Sequence, residues 1–76
     1  MEKTIYSAGR KEVSAKLIAA REEANLTQRQ VEQSLGLSQS ELSKIENGQR
    51  KVEFLVLLRL ANFYSKSINY FIPDNF

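Results

Sequence analysis

Two short stretches of this 76-residue chain carry the same pair of polar side chains, a hydroxyl followed by a glutamine. They are Thr27-Gln28 and Ser38-Gln39, eleven residues apart. A hydroxyl residue just before an apolar-periodic segment is typical of a helix N-cap. The first N–H groups of a helix carry partial positive charge and attract phosphate, and glutamine can both donate and accept hydrogen bonds. The doubled pair therefore indicates two helix ends that face a duplex, one positioning the protein on the backbone and one reading base edges.

The segments around these pairs have the spacing of short helices. Thr27 with Gln30 and Ser38 with Glu41 both have the spacing of a capping box. Gly36 between the two segments predicts a left-handed helix stop. The inward positions of this helix pair are apolar: Val31, Leu35, Leu37, Leu42 and Ile45.

Helices are also predicted on both sides of this pair. From about Gly9, apolar residues recur at helical spacing, and Asn25 can close this first helix in the left-handed conformation. The spacing of Val13, Leu17, Ala20 and Ala24 carries this expectation. A fourth helix begins near Phe54, and its apolar stripe is wider than one core face needs, which leaves core packing and a dimer contact equally open.

Ser67 is expected to cap a last turn over residues 68–71, which Pro73 ends. We thus expect an all-α, compact five-helix domain over residues 9–76 and an N-terminal arm over residues 1–8. No strand is predicted.

Composition narrows the function further. The net charge is +2 and the chain has neither histidine nor cysteine, so the commonest general base and the commonest metal ligand are missing and thiolate metal sites are excluded. No paired carboxylates suggest a catalytic cleft, and an enzyme is not expected. Apolar runs are too short to cross a bilayer and no signal peptide is visible, which predicts a cytoplasmic protein. Neither a cofactor nor a small-molecule site is indicated.

Residues 28–47 resemble the helix-turn-helix of the Cro/CI phage-repressor family, also called the xenobiotic-response-element type. The apolar positions, the turn glycine, both caps, both glutamines and the ENG of residues 46–48 carry the resemblance. It extends outward to LIAAREEANLTQ, IENGQRK and LLRLANFYSKSINYF. It implies a lambda-repressor-like fold, with helices 2 and 3 as the DNA-binding pair and the recognition helix at about residues 39–47.

The resemblance also implies roles for individual residues. Gln39 would pair with adenine, and Lys44 would reach guanine or only a phosphate. Gln28 would hold a phosphate and brace Gln39. Arg21 and Glu46 would form an ion pair between helix 1 and helix 3. The implied base contacts are Gln39, Ser40, Ser43 and Lys44, and the implied backbone contacts are Thr27, Gln28, Ser38, Asn47, Arg50 and Lys51.

Plainer interpretations stay open. The recognition face could be a solvated helix surface, Arg21 and Glu46 could be unrelated surface charges, and Arg50 with Lys51 could serve solubility. The sequence also departs from the family at Glu32, where alanine is usual, and at Ser65, where glycine often closes helix 4. Glu32 implies splayed helices, a solvated carboxylate or a cationic partner.

The leading hypothesis is a sequence-specific regulator of double-stranded DNA, a dimeric repressor or autoregulator. One chain can neutralise only a few DNA phosphates, so its electrostatic contribution to binding is small. Specific affinity for an operator therefore favours two subunits on two half-sites. The expected dimer surface is Ile68, Tyr70, Phe71 and Phe76. The alternative is a protein-interaction module, antitoxin-like or an adaptor, that binds a protein partner through helices 4 and 5.

Overall fold

A computed structural model describes the backbone of residues 5–73 and the side chains of residues 9–73. Four α-helices follow one another: α1 (Ile5–Glu23), α2 (Gln28–Leu35), α3 (Gln39–Glu46) and α4 (Phe54–Phe63). The last element is a single 3₁₀ turn, Ile68–Phe71. The described residues contain no strand, as expected, but four α-helices and a 3₁₀ turn replace the five helices predicted. Four residues before Pro73 are too few for a regular α-helix.

The first helix begins earlier than predicted. It starts at Ile5, four residues before Gly9, because an isolated glycine weakens a helix without ending it. Residues 5–8, predicted to belong to an N-terminal arm, therefore form the first turn of α1. Residues 1–4 lie outside the described part of the chain.

Helix caps follow the predicted spacing, with one exception. Thr27 Oγ1 accepts from Gln30 N–H at 3.1 Å, and Gln30 Oε1 accepts from Thr27 N–H at 2.8 Å. At Ser38 only half of the box forms, since its hydroxyl accepts from Glu41 N–H at 3.0 Å while the Glu41 carboxylate faces Arg50.

Helix ends are closed by left-handed residues. Gly36 has φ +78°, and Asn25 and Ser65 both have φ +59° although they carry side chains. Ser65 thus adopts the conformation that glycine usually supplies in the family, at some cost in backbone strain.

The core lies where α1, α3, α4 and the 3₁₀ turn meet, with α2 packed on α3. Leu17 and Ala20 of α1 are buried as predicted, Val13 is half-buried, and Ala24 is exposed because it follows the last helical turn. The buried apolar residues are Leu17, Ala20, Val31, Leu42, Ile45, Leu60, Ala61, Tyr64 and Phe71. Glu32 is half-buried, and no cation within the described residues lies at salt-bridge distance from it.

Candidate nucleic-acid interface

The outward face of α3 presents polar side chains with no internal partner. Gln39, Ser40 and Lys44 are exposed, and Ser43 is half-buried. Within residues 9–73 none of these four side chains makes a hydrogen bond or an ion pair. The opposite face holds Leu42 and Ile45 in the core. One side of α3 is therefore fixed by packing while the other keeps its hydrogen-bonding capacity for another molecule.

Glu46 at the end of α3 anchors this helix to two others. Arg21 of α1 donates to its carboxylate from Nε at 2.8 Å and from Nη2 at 3.1 Å. Gln28 at the start of α2 donates from Nε2 at 2.9 Å. Glu46 is buried, and its hydrogen bond raises the pKa of Arg21 against the opposing effect of burial. The residues proposed as an ion pair are thus in direct contact, with Gln28 as a third member.

The contact of Gln28 differs from the one implied by the resemblance. Gln28 was expected to brace Gln39, but no hydrogen bond joins the two side chains within the described residues. The amide nitrogen instead points to Glu46, because a carboxylate is a stronger acceptor than a neutral amide. Gln28 therefore fixes the start of α2 against the end of α3.

A second tie between α1 and α3 was missed from the sequence. Ser14 Oγ donates to the carbonyl oxygen of Ile45 at 2.7 Å, and Ser14 is buried. The available signal was a small hydroxyl residue three positions before Leu17, on the core side of α1. Arg29 was also missed: it is exposed in the first turn of α2, beside the helix N-terminus.

The loop after α3 carries three of the six residues predicted to contact the DNA backbone. Asn47, Arg50 and Lys51 are all exposed. The N–H groups of Gln49 and Arg50 both bond to the Lys44 carbonyl, at 2.9 and 3.2 Å, so the loop folds back on α3. Arg50 lies 3.6 Å from the Glu41 carboxylate with half of its side chain in solvent. Such an exposed pair stabilises little and can yield to a stronger anion.

The expected dimer residues occupy different environments. Phe71 is completely buried, so it belongs to the core and cannot supply a surface contact. Its ring packs edge-on against Tyr70 at 4.9 Å between centroids. Tyr70 and Ile68 are half-buried, and Lys66 and Lys16 place their ammonium groups 4.7 and 5.6 Å from the Tyr70 ring. Phe76 lies outside the described residues.

The surplus apolar stripe of α4 divides between core and solvent. Leu60, Ala61 and Tyr64 are buried, whereas Phe54 and Leu55 are 64% and 63% exposed. Leu58, 36% exposed, lies on the same side of the helix. We call Phe54, Leu55 and Leu58 the α4 face.

Neither a metal-binding group of side chains nor a membrane-spanning helix occurs in the part of the chain that the structure describes. Residues 9–73 contain no group of three or more His, Cys, Asp or Glu side chains that could hold a metal ion. None of the helices in residues 5–73 combines the length and the apolar content that a membrane crossing requires.

Comparisons with known proteins agree with this geometry. A helix-turn-helix family matches residues 17–71, which include α2, α3, α4 and the 3₁₀ turn. The crystal structure of the DNA-binding domain of BldD is similar with a TM-score of 0.80 and 29% identity. This likeness covers 88% of the present chain and 97% of that domain. The comparison with curated proteins gives no match. The chain belongs to the helix-turn-helix family of the Cro/CI type.

Proposed function

We propose that this protein is a sequence-specific, double-stranded DNA-binding transcriptional regulator that places α3 in the major groove. The observation that carries the proposal is the row of unpaired polar side chains on α3, a helix held by packing on its other face and by Glu46 at its end. The hydrogen bonds of Glu46 with Arg21 of α1 and Gln28 of α2 fix the orientation of α3, so its outward side chains are held in place for a partner. A major groove admits one α-helix and offers donors and acceptors to its side chains.

We assign the contacts with DNA bases to the exposed residues at the start and in the middle of α3. Gln39 can pair with adenine N6 and N7 through its amide, and Lys44 can reach guanine O6 and N7 or a phosphate. Ser40 and Ser43 are short donors and acceptors beside them. In this arrangement the Ser38 hydroxyl is occupied by the Glu41 N–H as the cap of α3, which leaves the N–H groups of Gln39 and Ser40 for a phosphate.

We assign the contacts with the DNA backbone to the start of α2 and to the loop after α3. At the start of α2, Gln30 N–H is used by the cap, so the N–H groups of Gln28 and Arg29 remain without an intrahelical partner. They can bind a phosphate together with the Arg29 guanidinium. On the other side, Asn47, Arg50 and Lys51 extend from the loop. Thr27 contributes by holding the helix start, since both its hydroxyl and its N–H are engaged with Gln30.

We further propose that two copies bind one operator through the α4 face rather than through the C-terminal residues. The three exposed side chains offer roughly 300 Å² per protomer, well below the roughly 800 Å² per partner of a standard interface. Such a contact is too small to hold a dimer in dilute solution. It can join two protomers that DNA already holds on half-sites about 34 Å apart. A bound pair would repress by covering the DNA it occupies.

A protein-interaction module is the second candidate, and the same α4 face favours it. An exposed aromatic and two leucines beside a well-packed core are typical of a partner surface. This candidate predicts tight binding to another protein and no DNA affinity that depends on salt. A DNA-binding titration at two salt concentrations therefore distinguishes the two candidate functions.

Base reading is tested with a duplex selected from a random DNA pool. Gln39→Ala should weaken binding to that duplex by about 1–3 kcal/mol and relax the preference at one base pair. Gln33→Ala, which removes an exposed glutamine from α2, is the matched control and should leave affinity unchanged. An equal loss for Gln39→Ala on random DNA would show that Gln39 does not read sequence.

Lys51→Ala supplies the contrast in the same assay. It should weaken binding to all sequences alike and reduce the dependence of log K on log salt by about one. The two variants thus distinguish a residue that reads bases from one that binds phosphate. An unchanged salt slope would exclude the phosphate contact of Lys51.

A further inference from the structure

A partly open cavity of about 270 Å³ lies behind the loop that follows α3. Its walls come from α1, the end of α3, the loop and α4, and they are almost entirely apolar. The apolar lining residues include Val13, Ile45, Val52, Leu57 and Pro73. The volume equals that of about nine water molecules in the liquid. An apolar space of this size at the meeting point of several elements is suited to a small organic molecule.

The same cavity is bordered by three cations. Arg10 of α1 and Arg50 and Lys51 of the loop all contribute to its lining. Within residues 9–73, neither Arg10 nor Lys51 lies at salt-bridge distance from a carboxylate, and Arg50 meets Glu41 only at 3.6 Å. None of the residues within 9–73 that line the cavity is acidic. Apolar walls with three basic residues in the lining match a molecule that has an apolar body and one negative group.

The cavity also touches the parts of the molecule that we assign to DNA. Ser14 and Ile45 both line it, and the hydrogen bond between them ties α1 to the end of α3. Arg50 and Lys51 border the cavity and are also the proposed phosphate contacts. A negative group bound by these two side chains would occupy charges that a DNA phosphate needs.

We propose that this cavity binds a small organic carboxylate with an apolar body of fewer than about ten heavy atoms, and that this anion competes with DNA for Arg50 and Lys51. The binding half of the proposal stands on the cavity alone. The regulatory half rests on the proposed function. When the carboxylate occupies Arg50 and Lys51, these side chains are no longer free for DNA. Bound carboxylate therefore lowers the affinity for DNA, and bound DNA lowers the affinity for the carboxylate by the same factor.

The binding half is tested without DNA by an NMR titration of the full chain with benzoate, and with benzyl alcohol as its neutral counterpart. Benzoate should shift the backbone amides of Gly9, Val13 and Val52 in a saturable way, with a dissociation constant in the millimolar range. Gly36 and Leu37 border a separate groove of about 280 Å³, and their amides should not respond. Absence of saturable shifts at the cavity, or equal binding of benzyl alcohol, would overturn the proposal.

Two matched variants test the role of charge. Arg10→Gln removes a cation at the cavity and should weaken benzoate several-fold. Lys11→Gln removes the neighbouring exposed lysine, which does not line the cavity, and should leave benzoate binding unchanged. If both variants bind benzoate like the original chain, Arg10 does not contact the anion and the proposed charge pairing is wrong.

The regulatory half is tested with the selected duplex at constant ionic strength, with sodium chloride replacing benzoate in the reference. At a benzoate concentration ten times its dissociation constant, the apparent duplex affinity should fall up to about elevenfold. Arg10→Gln, which has no proposed DNA contact, should bind the duplex normally and lose most of this benzoate effect. Unchanged duplex affinity in the original chain would refute the competition. A chain that binds no duplex at all would overturn the proposed function and leave the NMR result to decide the site.

Discussion

Glu46, the last residue of α3, is a charged residue that is buried among three helices. Glu46 accepts hydrogen bonds from Arg21 and Gln28 while it is buried. A carboxylate can be kept inside a protein only when its charge is paired and hydrogen-bonded in this way. Tyr64 lies nearby and is 4% exposed, but its hydroxyl finds no hydrogen-bond partner among the described residues. The charged group is thus well satisfied while the neutral group beside it is not.

Tyr64 gives a pH-dependent prediction. Burial, reinforced by the charge of Glu46 and opposed by Arg21, raises the pKa of Tyr64 from 10.0 to about 12. The unfolded chain loses this proton above about pH 10 and the folded chain keeps it until about pH 12. The free energy of unfolding should therefore fall between pH 10 and pH 12, by at most about 2.7 kcal/mol from this group.

Tyr64→Phe isolates this contribution from the lysines that titrate in the same range. In urea unfolding at several pH values, the variant should lack this part of the decline. At neutral pH it should equal or exceed the original chain by about 1 kcal/mol, because it removes an unpaired buried hydroxyl. Tyr70→Phe, at a half-buried ring, is the control and should keep the decline. Parallel curves for Tyr64→Phe and the original chain would contradict the prediction.

At the scale of elements, short helices depend on how their ends are closed. α2 and α3 have only eight residues each, too few to be stable as isolated helices. The side chains of Thr27 and Ser38 each accept a hydrogen bond from one N–H group in the first turn, that of Gln30 and that of Glu41, and Gly36 adopts the left-handed turn between the two helices. α4 lacks this aid, since Glu53 makes no side-chain cap hydrogen bond, and depends more on the burial of its inner face.

Gly36 allows the strain of the turn to be measured. A Cβ added at Gly36 would meet no atom within 4 Å, so Gly36→Ala should cost only the backbone strain of φ +78°, about 1 kcal/mol. Gly36→Asn should cost about half as much, because asparagine tolerates this conformation, as Asn25 does here. Urea unfolding at 25 °C measures both. Equal losses for alanine and asparagine would show that something other than the left-handed φ sets the cost.

For the molecule as a whole, the exposed apolar surface of α4 is the feature that bears on assembly. α4 buries one side in the core and leaves Phe54, Leu55 and Leu58 in solvent. Lys51 precedes Phe54 by three residues, so the α4 face adjoins the loop that we assign to DNA phosphates. A contact between two copies at this face would therefore form close to the DNA surface and join protomers already bound there.

Leu55→Ser tests this assembly. The variant should fold and bind a duplex with one half-site like the original chain, since Leu55 is largely outside the core. On a duplex with two half-sites it should lose the cooperativity of the original chain. Ile72→Ser is the control, because Ile72 is also exposed, at 47%, but lies outside α4. Sedimentation with both duplexes measures the outcome, and cooperative binding that survives Leu55→Ser would place the dimer contact elsewhere.

The correct sequence predictions share a physical origin in short-range contacts. The Thr27 box, the Gly36 turn and the left-handed Asn25 each depend on residues within a few positions along the chain. The helix-turn-helix could be recognised for the same reason, since its caps, glycine and apolar spacing fall within one continuous segment. Two misses show the limit of local patterns. The helix α1 continues through Gly9, which weakens a helix without ending it, and the box at Ser38 is only half formed because Arg50 competes for the Glu41 carboxylate.

By itself, the sequence determined an all-helical domain of the Cro/CI type with a polar face on α3. Only the tertiary structure decided that Phe71 fills the core, that Gln28 bonds to Glu46, and that the surplus apolar residues of α4 face solvent. It alone also formed the cavity behind the loop. The physical reason is that caps and turns arise between neighbours in the chain. Burial, the choice among competing acceptors and the space between helices depend on how distant segments pack.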